Sequence, residues 1–311
     1  MQDNQPIVTL GMPVYNGENF IREAIESILA QTFQDFELII TDNASTDATA
    51  AIVEEYVKAD PRVQYVHNGK NIGAAANYNV SFNLARGKYM KWCAHDDRIS
   101  PNFLEACVKH LESDPTLSLA FASTTGINTD GDLVDAEGHE TPSLMDPDPS
   151  KRFMDAITLA GTCFPIFGLF RMSMLKTSTL HRPYYGSDRG LIAEMAALGK
   201  YLRVDEATFY NREHMQRSIN IDDKVARSKW QNGTSSRVAA AEHLNLARHL
   251  FEIAGRHKNV VSPWKMRRKL SAHIFKPRQV GRYIMELTGI ISPRAAQILR
   301  SLGTKKQQST A

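Results

Sequence analysis

Three cysteines in 311 residues, Cys93, Cys107 and Cys163, are too few and too scattered for a disulfide framework. No CxxC pair or Cys/His cluster accompanies them, which argues against structural zinc, so reduced, mostly buried thiols are expected. No stretch approaches the about 18–20 continuous apolar residues that span a bilayer. Met1 to Pro6 is polar and lacks the basic-then-apolar run of a secretory signal, so the expected location is cytoplasmic. No G-x-G-x-x-G follows the first apolar run, which disfavours a nicotinamide-dependent dehydrogenase. Nor does a glycine-rich basic phosphate loop follow it, which disfavours a nucleotidyltransferase. Acids are scarce in one region only. Residues 224–311 carry 18 Lys and Arg against Glu242, Glu252 and Glu286, a net +15, whereas the other 223 residues carry 19 basic and 31 acidic side chains, a net −12. This split suggests an acidic body, residues 1–223, and a basic helical region, residues 224–311, suited to phosphate-bearing surfaces.

What is present is an ordinary globular composition, 42% hydrophobic and 23% charged, enough to bury a core without cross-links. Short β-like runs alternate with amphipathic runs, the pattern of an α/β fold with a mostly parallel, helix-covered sheet. Strands are expected at Ile7–Gly11, Phe36–Thr41, Val63–Val66, Lys88–Trp92 and Leu117–Ala122. Helices are expected from Phe20 to Leu29, over Thr46–Lys58 with Ser45 or Thr46 as cap, over Ala74–Ala85, and after Ser100-Pro101. Gly126–Lys151 reads as loop or short hairpin. From about Asp222 the strands stop and long helical stretches such as Ala226–Ala254 follow. No internal repeat is visible.

Ligands of open α/β sheets lie outside the carboxyl ends of the strands. Three such ends carry polar residues here: Pro13-Val14-Tyr15-Asn16, Thr41-Asp42-Asn43-Ala44-Ser45-Thr46-Asp47, and Ala94-His95-Asp96-Asp97. They supply a ring to stack on a base, a carboxylate to accept an imide N–H, and an acidic pair for a divalent cation. Together these suit a nucleotide diphosphate.

The run PVYNGENFIREAIESILAQTFQDFELIITDNASTDAT resembles the opening of the family 2 glycosyltransferases, which have the GT-A fold. NIGAAANYNVSFNLARGKYMKWCAHDDRISPNFLE resembles the metal-site block of that family. The resemblance covers roughly residues 6–215 and implies an inverting transferase using Mn²⁺ or Mg²⁺. It implies that Asp42 hydrogen-bonds the base, which favours a UDP or dTDP sugar, and that Tyr15 stacks on it, beside Pro13 and Asn16. Asn71, Gly73 and Asn77 match a loop near the nucleotide, although the basic residue often found before that asparagine is Ala76 here. Asp97 is implied to ligate the metal, Asp96 to contact the donor's ribose or sugar, and His214 to approach the metal. A D-x-D triplet would place an acid at Ala94, and its absence leaves fewer carboxylates for the ion. Asp188, in Tyr185-Gly186-Ser187-Asp188-Arg189, resembles the catalytic base, while helix capping is its competing role. Gly161–Arg171 resembles the floor of the acceptor and sugar site, and also reads as a plain hairpin. Asp47 is expected to be structural support, and His95 to be bonded within its turn.

In the basic region, Trp264, Met266, Leu270, Ile274 and Phe275 interleave with Lys and Arg. This suits a helix on an anionic membrane, consistent with a lipid-linked or glycan acceptor, or else a helical layer packed on the catalytic body. No nucleic-acid-binding motif accompanies the charge, so no nucleic-acid partner is expected. A non-catalytic nucleotide-sugar-binding scaffold is the alternative from another class, with the missing acid at Ala94 as its support.

Overall fold

A computed structural model describes residues 5–134, 141–158, 163–235 and 238–292. Residues 1–4, Gly161 and Thr162, part of the expected 126–151 loop, and the tail from residue 293 lie outside the described residues.

The chain begins with β1 (Val8–Val14), α1 (Ile21–Leu29), β2 (Phe36–Asp42), α2 (Thr49–Ala59), β3 (Val63–His67), α3 (Ala74–Leu84) and β4 (Tyr89–Trp92). Then come β5 (Arg98–Ile99), α4 (Phe103–Ser113), β6 (Leu117–Ile127), β7 (Leu133–Val134), α5 (Pro149–Thr158), β8 (Leu169–Arg171) and the one-turn α6 (Met172–Leu175). α7 (Ser187–Leu198) and β9 (Lys200–Arg212) complete the sheet, and α8 (Lys224–Asn232), α9 (Glu242–Arg256), α10 (Pro263–Ile274) and α11 (Pro277–Ile291) follow. The strands form one sheet in the order β3-β2-β1-β4-β8-β6-β9-β5, with β7 paired to β6. β3, β2, β1 and β4 are parallel, β8 is antiparallel to both neighbours, and β6 and β9 are parallel. The expected α/β class is borne out.

Alternation along the strands divides the core between the two faces of the sheet. Tyr89, Ala120, Ala122 and Leu169 join α1 and α4 on one face. Met90, Trp92, Leu119, Phe121 and Phe170 join α5, α7, α9 and α10 on the other. Leu250, Ile253, Ala254, Met266 and Leu270, all from the basic region, are buried in that second cluster. The inner faces of α9 and α10 thus form a layer packed on the body.

Several element ends differ from expectation. β1 runs past Gly11 through Pro13 to Val14, because its ladder with β2 continues to Val14↔Asp42 after β4 has stopped at Gly11↔Trp92. Proline is tolerated where the sheet has thinned to a strand pair. α2 starts at Thr49 and is held by Asp47, whose Oδ1 accepts the Thr49 N–H at 3.0 Å, not by Ser45 or Thr46. Ser45 Oγ instead accepts the Asn16 N–H at 2.8 Å. α4 opens at Phe103, since the Ser100 hydroxyl is turned to Asn102 and to the Thr208 N–H of β9. The stretch Ala226–Ala254 breaks after Asn232, where Gly233 takes φ 76° and closes α8.

Candidate active site

β1 continues through β2 to β3 on one side, whereas β4 pairs with β1 on the other. The strand order therefore switches between β1 and β4, and a crevice opens at their carboxyl ends. A cleft of about 880 Å³ lies there. That volume falls within the range of small-molecule sites, roughly 300–1,000 Å³. Of the ten site residues singled out in the sequence, Pro13, Tyr15, Asn16, Asn71, Asn77, Asp96, Asp97, Asp188 and His214 line it, and Asp42 does not.

Asp42 ends β2 with no exposure; its Oδ2 accepts the Tyr65 hydroxyl at 2.6 Å and its Oδ1 the Ser45 N–H at 2.8 Å. That places it directly behind the loop 43–46. Asn43 lines the cleft in its stead, donating to Asn71 Oδ1 at 3.0 Å and accepting the Ile72 N–H at 2.9 Å. Asn77 is buried and donates to the Thr41 carbonyl at 2.7 Å, fastening α3 to the end of β2. Asn16, at φ 53°, accepts the Thr46 N–H at 2.9 Å, which ties the β1 and β2 loops together. Tyr15 is exposed at the mouth.

The second wall is the turn after β4. Asp97 is buried, and its Oδ1 accepts the Arg212 N–H at 2.8 Å and the Asn211 amide at 3.2 Å. Asp96 Oδ2 lies 2.9 Å from His214 Nε2. Burial and the charge of Asp96 push the Asp97 carboxyl well above the usual carboxylate range, against the pull of the Arg212 N–H. Burial acts on Asp96 in the same direction, but the nearby His95 and the bond from His214 hold it low. Asp97 is buried and Asp96 half-buried, and with the His214 imidazole beside Asp96 they are donors of the kind a hard divalent ion takes. Their ligand atoms do not close into one cluster by themselves, so such an ion would draw much of its shell from phosphate oxygens.

Asp188 stands on the third wall, in the first turn of α7, with Gly186 as the N-cap residue at φ 85°. Gly186 and not Asp188 is thus the N-cap residue, while Asp188 Oδ1 accepts the Arg189 N–H of the same turn at 2.9 Å. Burial raises its pKa, opposed by the Arg189 N–H and charge and by a hydrogen bond from the Cys163 thiol. Tyr78 lines the same cleft as Asp96, Asp97 and Asp188, and burial, with the charges of these acids, raises the pKa of its hydroxyl.

Several residues here were not singled out in the sequence. Arg212 is fully buried and bonds the Asp96 carbonyl at 2.8 Å, the Asn128 and Thr129 carbonyls, and Glu23 at 2.7 Å. It knots the acidic turn to α1 and to the β6–β7 hairpin; the sequence signal was its proximity to His214. Arg217 and Lys229 add positive charge and Tyr78 and Trp230 add rings, whereas Phe164 and Phe167, which also line the cleft, belong to the 161–171 segment expected to floor the site. Ala226, Lys229, Trp230 and Gly233 come from α8 and its end, so the basic region walls the cleft. Gly73, at φ 85°, makes this approach possible: a Cβ there would lie 2.4 Å from the Gly233 nitrogen.

Among solved structures, residues 1–349 of S. aureus TarS with UDP-GlcNAc are similar at TM-score 0.56 and 18% identity, covering 91% of this chain and 80% of that one. Mannosyltransferase PcManGT from Pyrobaculum calidifontis, with GDP-Man and Mn²⁺, is similar at 0.51 and 16%, covering 94% and 86%. At such identities the likeness establishes the GT-A fold alone. Chondroitin synthase of Pasteurella multocida is 32% identical over 139 residues, 45% of this chain and 14% of that protein. The putative teichuronic acid biosynthesis glycosyltransferase TuaG of Bacillus subtilis is 34% identical over 154 residues, 49% of this chain and 60% of that protein. The chain spans less than two thirds of the length of these curated relatives. Residues 9–177 match the family described as Glycosyl transferase family 2, more than half of the chain, and the protein belongs to that family.

Proposed function

We propose that the protein transfers a sugar, with inversion, from a nucleotide-diphosphate sugar to a hydroxyl of a glycan or lipid-linked acceptor in polysaccharide or glycoconjugate synthesis. The observation that carries this reading is the convergence of Asp96, Asp97, His214 and Asp188 on one cleft. Tyr15, Asn43, Asn71 and Asn16 would hold the nucleotide. A UDP or dTDP donor is what the resemblance of the Asp42 strand end to the family's base-binding motif favours, and not a contact from the Asp42 carboxylate, which is turned to Tyr65 and Ser45. Asp97, with Asp96 and His214, would hold Mn²⁺ or Mg²⁺, which when bound offsets the charge of the diphosphate.

Asp188 would take the proton of the acceptor hydroxyl as its oxygen bonds to the anomeric carbon. The bond from that carbon to the diphosphate oxygen breaks at the same time, and the nucleoside diphosphate leaves with the electron pair. A raised pKa suits a base that must recover its proton affinity near neutral pH. Arg217 and Lys229 would draw the leaving diphosphate. A lipid-linked acceptor would bring a cytoplasmic enzyme to the inner membrane face.

Asp188→Asn should lower turnover by about 10²–10⁴ and leave nucleotide binding intact. Full activity of that variant in a radiolabelled-sugar assay would remove Asp188 as the base. Donor choice is read by thermal unfolding with UDP, dTDP, GDP and ADP, with and without Mn²⁺. A ligand at about 100 times its Kd adds roughly 2.7 kcal/mol. We expect one pyrimidine diphosphate to do so, and only with metal. A folded protein indifferent to every nucleotide would instead be a scaffold.

A further inference from the structure

The outward sides of the last two helices combine exposed apolar side chains with positive charge. Lys265 and Lys269 of α10 are paired to Asp148 at 2.9 and 3.3 Å, and Arg267, Arg268, Lys276 and Arg278 remain for an anionic partner. α10 turns Met266, Leu270 and Ile274 inward. On its other side Trp264, Arg268 and Phe275 recur at i, i+4 and i+11, one helical stripe. Trp264 is 72% exposed and Phe275 71%, and the Arg268 guanidinium lies 5.2 Å from the Trp264 ring centre. α11 buries Glu286 and exposes Ile284, Leu287 and Ile291 at i, i+3 and i+7, the last at 82%. Arg267, Lys276 and Arg278 are exposed beside these stripes. Between Pro263 and Ser292 the sequence holds one acid, Glu286, and it is engaged by Lys224 and His243 at 2.8 Å each.

We propose that this face docks on the surface of an anionic lipid bilayer. Lone exposed apolar residues are ordinary on a monomer, but five large ones on consecutive helices, interleaved with cations and free of exposed acids, form the composition of an interfacial helix pair. The aromatic rings settle at the headgroup level, the aliphatic residues reach the acyl boundary, and the Arg and Lys heads meet lipid phosphates. Charge argues against the other occupants. A second copy would set cations against cations. Residues 293–311 of this chain carry Arg294, Arg300, Lys305 and Lys306 and no acid, so they offer no charge complementary to that of the face. The proposal is independent of sugar transfer and is measured without donor or acceptor.

The test is flotation of the full chain with vesicles of phosphatidylcholine alone and of phosphatidylcholine with phosphatidylglycerol. Binding should appear with the anionic vesicles, weaken with salt, and fall roughly tenfold or more in Trp264→Ala/Phe275→Ala and in Ile284→Asp/Leu287→Asp. Tryptophan emission should shift to the blue on anionic vesicles, and Trp264→Phe should remove most of that shift, because Trp92 is buried and Trp230 lines the cleft on α8, off the proposed face. Unchanged melting temperatures would show that these surface variants are folded. Three results would overturn the proposal: no binding to anionic vesicles; equal binding by folded variants; or a dimer by light scattering that the same substitutions dissociate.

Discussion

Asp42 and Asp97 are both buried carboxylates at strand ends, yet their surroundings give them opposite properties. Asp42 is saturated by two protein donors, so removing one leaves a buried acceptor without a partner. Tyr65→Phe should therefore destabilise the fold by about 1–3 kcal/mol in urea titration. Asp97 has two donors on one oxygen and the charge of Asp96 beside it. Neutralising it relieves a like-charge pair in a low dielectric. Asp97→Asn should melt no lower than the parent in EDTA while losing the added stability that Mn²⁺ and nucleotide confer. A variant that melts well below the parent without metal would contradict this account. These carboxylates were legible as residues in the sequence, because strand-end position and motif marked them. Their partners Tyr65 and Arg212 were not, since they come from other strands.

At the scale of elements, α7 is held by a directed chain of hydrogen bonds from α9. Thr179 Oγ1 donates to Glu194 Oε2 at 2.6 Å, and Glu194 Oε1 lies 2.6 Å from His257 Nε2. His249 Nε2, 2.7 Å from Thr179 Oγ1, must then be the donor, which leaves His249 Nδ1 to accept the Tyr184 hydroxyl at 2.8 Å. The imidazole sits against Gly190, where a Cβ would lie 2.5 Å from Nδ1, two residues from Asp188. Burial lowers the His249 pKa to about 4, and that of His181, packed against Trp92 and Tyr78, to about 3. The folded state thus favours the neutral rings. Their contribution is complete above the unfolded value near 6.5 and is lost as pH falls toward 4. For His249 the difference is worth about 3 kcal/mol. Unfolding free energies at pH 7 and 4.5 should differ more for the parent than for His249→Gln, and equal slopes would exclude this link. The start of α7 was marked in the sequence by the capping signal around Asp188, but its lock was not, because Gly190 and His249 are 59 positions apart.

For the molecule as a whole, the charge split in the sequence suggested two regions, an acidic body over 1–223 and a basic one over 224–311. Packing nevertheless joins them: α8 walls the cleft, and α9 and α10 complete the core over α7. Ending the chain at Asp223 would bare Leu191, Ile192 and Met195 and remove the buried Leu250, Ile253, Met266 and Leu270. At about 1.5–3 kcal/mol for each large side chain, that loss exceeds ordinary domain stability. The truncated chain should be insoluble or unfolded by circular dichroism. A soluble 1–223 fragment melting like the parent would make the basic region an appendage.

The sequence by itself determined the alternation of strands and helices, the three polar strand ends and the family, because these are local patterns a few residues long. Tertiary structure alone decided that Asp42 stands behind the cleft wall, that Arg212 and Arg217 serve the acidic turn, and that α8 closes the site. It also decided which faces of the basic helices are buried and which are bare. Such facts depend on sheet register and helix packing, which bring together side chains far apart in the chain, and no local periodicity encodes those meetings.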